Sequence, residues 1–142
     1  MHIYAYNVWM RRHGWLIFWI LAIIFPTAAI GRFSLLFQDS FNKIFNPIWM
    51  HILMHLVLFA GLSALLMLTF RLSLSARTMA VTLCVVFGVG LLQEGFQAFN
   101  QGYFSLDGSI SDVAVDMAGG LLGLLLMGWK SRNPVRTVHL DN

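Results

Sequence analysis

Two histidines, His51 and His55, stand four residues apart in one apolar run. Two aspartates, Asp112 and Asp116, stand four apart in another. Residues four apart share a face of a helix, so each pair would point the same way. A third apolar run ends with Glu94 and Gln97. Together these residues offer two imidazoles and up to three carboxylates. Such a set could hold a divalent metal, since His and carboxylate suit zinc, iron or manganese. The metal candidates are His51, His55, Glu94, Asp112 and Asp116. The same groups could act as acid and base, because burial shifts the proton affinities of both types. They could bind a lipid-linked or extracellular small molecule, line a transport route, or pair with one another and pin helices together. No nucleophile motif, phosphate loop or dinucleotide fingerprint accompanies them. Whether any reaction is catalysed stays open.

The elements that carry these residues follow from composition. Of 142 residues, 58% are hydrophobic and only 11% are charged, and mean hydropathy is +0.74. Soluble domains carry about 25% charged residues. The balance argues against a soluble fold and excludes disorder, which needs low hydrophobicity and high charge. Net charge is +3, but the basic residues are scattered and no nucleic-acid-binding motif exists. No nucleic-acid partner is expected. The lone Cys84 cannot form an intrachain disulfide, has no zinc-site spacing, and reads as a small core hydrophobe.

A bilayer core needs roughly 20 apolar residues per helix. Four stretches approach this: residues 15–30, 48–70, 78–99 and 112–129. Pro26 would kink the first. Arg11 and Arg12 before it resemble a signal-peptide start, but its long, aromatic-rich run favours a span. Helices are required, because open sheet edges cannot be satisfied in lipid. Residues 31–47 mix Phe33, Leu36, Phe37, Phe41, Ile44 and Phe45 with polar residues at helical spacing, as a short interfacial helix does. The expected fold is all-α: a polytopic membrane protein of four transmembrane helices plus that interfacial helix, in one domain over 1–142. The lipid bilayer is its first partner. Trp9, Trp15, Trp19, Trp49 and Trp129 fall near span ends and suit an interfacial belt.

Basic residues set orientation. Arg11, Arg12, Arg71, Arg77, Lys130, Arg132 and Arg136 fall on one side, and Arg32 and Lys43 on the other. The bias predicts a multi-pass protein of the cytoplasmic (inner) membrane with both termini cytoplasmic. At 1.5 Å per residue, His51 and His55 then lie roughly 5 and 10 Å below the outer end of the second span. Glu94 and Gln97 lie roughly 8 and 3 Å below the outer end of the third, and Asp116 roughly 6 Å into the fourth. Ionisable residues at such depth usually face the bundle interior and mark function. Gly119, Gly120 and Gly123 extend the Asp116 stripe, and Gly90 extends that of Glu94. Small residues mark close helix packing. Residues 100–111 are polar and contain glycine. They read as a connecting loop over this layer, with a lid as the sharper alternative.

At these positions the chain resembles the VanZ-like family of small integral membrane proteins. Members carry a histidine followed by an apolar stretch, and His55-Leu-Val-Leu-Phe59 matches it. A Glu-x-x-Gln pair then closes the next helix, matched by Glu94-Gly-Phe-Gln97. An Asp-x-x-x-Asn-x-x-Gly-x-x-x-Gly helix follows, matched from Asp112 to Gly123, with Asp116 where the family usually has Asn. The resemblance covers about residues 48–128. Two departures stand out: His51 precedes His55 where members usually have a basic residue, and no arginine follows Phe99 before Asp112. The layer is therefore more acidic than the family pattern and tilts toward a cation, a metal or a positively charged ligand. The resemblance implies a place in the cell envelope and a link to glycopeptide (teicoplanin-type) antibiotic susceptibility. It implies no particular reaction.

Overall fold

The structure is a computed structural model that describes residues 2–25, 47–102 and 106–132. All regular structure among the described residues is helical. The four helices are α1 (His2–Ile24), α2 (Ile48–Phe70), α3 (Ala76–Gln101) and α4 (Leu106–Arg132). Three of them, α2, α3 and α4, are long and apolar enough to cross a membrane. Among the described residues the apolar part of α1 is His13–Ile24, and the rest of the stretch expected to run to residue 30 lies outside them. The helix itself begins much earlier than residue 15, because no proline interrupts it from His2 to Ile24. Pro26 and the interfacial helix expected at 31–47 lie outside the described residues.

The molecule is apolar outside and partly polar inside. Ile52, Leu53, Val57, Val81, Phe87, Leu91, Leu92, Leu121, Leu122, Leu125 and Leu126 are exposed on α2, α3 and α4. His55, Ser63, Thr82, Gln93, Glu94 and Asp116 are buried. Water would reverse that distribution, whereas lipid accepts the outer surface and drives polar groups inward. This distribution also explains Cys84, which the sequence places in the core and the structure places on the exposed surface of α3. In a helix with lipid on one side, an apolar run does not distinguish core from periphery.

Helix ends are closed locally. The chain reverses after α2 through Arg71, which adopts a left-handed backbone (φ 51°). Its neighbour Leu72 donates its N–H to Met67 O at 3.0 Å. Ser75 caps α3 by accepting the Thr78 N–H at 3.2 Å. Gly102, with φ 76°, ends α3 and donates to Ala98 O at 2.9 Å; this left-handed conformation suits glycine.

The most extensive helix pair is α2 with α4. Its register is readable from which residues meet along the two helices. His51 meets Asp112 and His55 meets Asp116, both 61 residues apart. One turn further, Gly119 lies against Leu56 and Gly123 against Ala60. The offset is 61 in the two rungs and 63 in the two glycine contacts, and partners that advance together in this way require α2 and α4 to run parallel. A Cβ at Gly119 would stand 2.7 Å from Leu56 O, and one at Gly123 would collide with the Ala60 backbone. These two glycines let the backbones touch, as small-xxx-small pairs do in membranes. Gly120 faces the other way, toward Val86 of α3 and Ser63.

Helix α1 runs antiparallel to α2. His13 stacks edge-on against Phe70, and further along α1 Trp19 reaches Leu58. Leu16 and Ile23 join Phe59, Leu62, Leu66, Val86 and Val89 in the apolar core. Trp19 departs from the belt role expected of it. Its Nε1–H donates to Leu58 O at 2.9 Å, and Gly61 leaves room for the indole, where a Cβ would come within 2.6 Å of the ring. Trp19→Phe deletes the donor and also the part of the indole that fills the Gly61 slot, so it should lower stability by at least about 1 kcal/mol. Thermal unfolding in detergent checks this; no loss would mean that the bond contributes nothing. Trp15, Trp49 and Trp129 are exposed, as belt residues would be.

The contacts also segregate charge. Phe70 lies by His13, and Leu74 lies where a Cβ of Gly128 would fall. Arg71, Arg77 and Lys130 therefore share one end of the bundle. His51, Glu94 and Asp112 occupy the other.

Candidate functional site

The site forms where the first two turns of α2 meet α4, beside the last turns of α3. Parallel packing in register turns two pairs four residues apart into a ladder of two rungs. The outer rung is His51 Nε2 to Asp112 Oδ2 at 3.3 Å, with side chains 40% and 23% exposed. The inner rung is His55 Nδ1 to Asp116 Oδ1 at 2.7 Å, with side chains 2% and 0% exposed. The two imidazoles lie one above the other, ring centroids 4.4 Å apart. Phe59 stacks below His55 at 6.3 Å and closes the floor.

The rungs differ in kind. The inner distance is that of a charge-assisted hydrogen bond, which runs about 2.7–2.9 Å. Its carboxylate accepts from Nδ1–H, which directs the lone pair of a neutral His55 ring to Nε2. The outer distance is too long for a bond of that strength. Gly90 of α3 makes space for the inner rung: a Cβ there would stand 2.8 Å from Asp116 Oδ2. Gly90 therefore accommodates a carboxylate, beyond the general packing role expected of it.

Helix α3 supplies two buried polar side chains. Gln93 places Nε2 3.5 Å from His55 Nε2, and its Oε1 has no hydrogen-bond partner. Glu94 is buried, interacts electrostatically with His55, Asp112 and Asp116, and has Ser109 within hydrogen-bonding reach. Its Oε1 has no partner, nor does Asp116 Oδ2. Gln97 is half-buried one turn further along α3. Gln93, which the sequence does not single out, is the glutamine that reaches His55. The signal for it was available: Gly90, Gln93 and Gln97 recur at spacings of three and four, one helix face. Ser63 and Thr82, also buried, continue the polar interior deeper.

The connection above the site is shorter than expected. Residues 100–111 are not one loop, because α3 continues to Gln101 and α4 begins at Leu106. Asp107 in the first turn of α4 suits the positive end of that helix. Asp112 is consequently more than one turn inside α4 rather than at its start, and little chain remains to form a lid.

One ligating atom from each of His51, His55 and Asp112 lies within 4.8 Å of the other two, so these three could hold a metal ion. Asp116 stands behind His55 as its hydrogen-bond acceptor. Among the described residues, 47–60, 88–102 and 106–118 contain no Lys or Arg. The site thus carries three carboxylates with no basic side chain from those segments to offset them. No family model matches this chain, and no curated protein or solved structure does.

Proposed function

We propose that this chain is a VanZ-like, multi-pass protein of the cytoplasmic membrane whose polar layer faces outward and binds a lipid-linked or extracellular small molecule of the cell envelope. One observation carries the reading: His51, His55, Asp112 and Asp116 converge at the end of the bundle away from Arg71, Arg77 and Lys130. Under the positive-inside rule the basic end is cytoplasmic, which turns the polar end outward. The half-exposed outer rung is reachable from that side, and the buried inner rung holds it in place. The resemblance to VanZ-like proteins rests on the His55, Glu94-x-x-Gln97 and Asp112-to-Gly123 motifs, and it links such a site to glycopeptide susceptibility.

In cells that depend on this chain for a change in glycopeptide susceptibility, Glu94→Ala and Asp112→Ala should abolish the change at unaltered protein levels. Variants that accumulate normally and keep the full effect would overturn the reading. A reporter at the C-terminal end should be cytoplasmic, and an external one would reverse the orientation. A second reading, a metal-dependent or acid–base enzyme acting on a lipid-linked substrate, is favoured by the closeness of the His51, His55 and Asp112 ligating atoms. A purely structural layer predicts a different outcome, in which the substitutions lower stability and reduce function only in proportion.

A further inference from the structure

We infer that His51, His55 and Asp112 hold one divalent transition-metal ion, with Asp116 orienting His55 from behind. This rests on reading the layer as a binding site and narrows its ligand to a cation.

Distances separate the roles of the two rungs. Zinc–nitrogen and zinc–oxygen bonds are about 2.0–2.2 Å, and the edge of a tetrahedron with such bonds is about 3.3 Å. His51 Nε2 and Asp112 Oδ2 stand 3.3 Å apart, a separation that suits two ligands of one ion. His55 Nδ1 and Asp116 Oδ1, at 2.7 Å, are too close for that and form a hydrogen bond. A carboxylate on the far nitrogen of a ligating histidine is the usual outer partner in metal sites, where it sets the tautomer and raises basicity. His55 is then a ligand through Nε2. In the absence of the ion, the side-chain amide of Gln93 faces that nitrogen at the long distance of 3.5 Å.

Burial and charge agree. The buried oxygens Glu94 Oε1, Gln93 Oε1 and Asp116 Oδ2 have no hydrogen-bond partner. Three carboxylates gather in this layer, and among the described residues 47–60, 88–102 and 106–118 bring no Lys or Arg to it. Two of the three ligands are imidazoles, which suits zinc, manganese, iron, cobalt or nickel rather than calcium or magnesium. The outer rung is exposed enough to admit the ion from one end of the bundle. Three protein ligands leave a fourth position for water or for an anionic group of a bound molecule.

The test uses the full chain purified in detergent and stripped with chelator, titrated with Zn2+ against a chromophoric competitor. One equivalent should bind. His51→Ala and Asp112→Asn should each weaken binding at least tenfold, and because both positions are partly exposed, helical content should be unchanged. Asp116→Asn keeps every ligand and should weaken binding 10–100-fold. Co2+ should give the visible absorption of a tetrahedral site in the wild type and lose it in His51→Ala. Binding that persists undiminished in a folded His51→Ala/Asp112→Asn double variant would overturn the inference, as would no binding by the wild type. Failure here with an intact Asp112→Ala susceptibility phenotype removes the metal and leaves the proposed function. A bound metal with no phenotype does the reverse.

Discussion

Replacing Gly119 or Gly123 with leucine should abolish folding, and Gly119→Ala should lower stability by about 2–3 kcal/mol. The prediction follows from backbone geometry. A Cβ at Gly119 would stand 2.7 Å from Leu56 O, and the obstacle is main chain rather than a movable side chain. The helices must therefore separate. Separation would disrupt both rungs above, because His51–Asp112 and His55–Asp116 depend on the same α2–α4 approach. Alanine is a better helix former than glycine by about 1 kcal/mol, so the packing loss has to exceed that gain. Gly95 supplies the control. It is exposed, with nothing within 4 Å of its Cβ position, so Gly95→Ala should be neutral or stabilising. Thermal unfolding in one detergent compares them directly. Equal behaviour of Gly119→Ala and Gly95→Ala would show that α2 and α4 do not approach as closely as described here.

The second large effect concerns the inner rung. Asp116→Leu should cost about 1–3 kcal/mol, the usual result of leaving a buried polar group without its partner. The hydrogen bond itself is not the main term. Interhelical bonds in membranes average only about 0.6 kcal/mol, since the reference state also finds partners. The cost arises because His55, 1% exposed, retains a polar Nδ1–H with nothing to accept it. Two further variants separate these contributions. Asp116→Asn keeps an acceptor at Oδ1 and should cost about 1 kcal/mol; Asn is also the residue usual in the VanZ-like pattern. His55→Leu/Asp116→Leu removes both polar partners and should be more stable than Asp116→Leu alone. Unfolding of all three in mixed micelles provides the cycle. A double variant less stable than Asp116→Leu would contradict the account.

Much of the architecture is legible in the amino-acid sequence. Apolar runs of spanning length predicted helices α2, α3 and α4, and the boundaries of α2 at 48–70 were read directly. The start of α4 was misplaced by six residues, because the polar string before Asp112 looks like loop when solvent exposure is assumed. At the end of a bundle, polar residues remain compatible with helix, since water or a neighbouring helix satisfies them. Trp19 was misplaced for a related reason. Its position along the chain suits a belt, and only the presence of Gly61 on the opposing helix creates the slot that the indole fills.

Spacing along each helix was determined by sequence alone: His51 with His55, Asp112 with Asp116, and the glycine stripe below. Helical period makes such residues share a face regardless of what they meet. Partner choice was not so determined. Which histidine faces which aspartate, and that Gln93 reaches His55, depends on the register and rotation of one helix against another. Those are set by how deeply Gly119 and Gly123 let α4 approach Leu56 and Ala60. The inner rung closes to 2.7 Å while the outer stands at 3.3 Å, and interhelical contact sets distances on that scale.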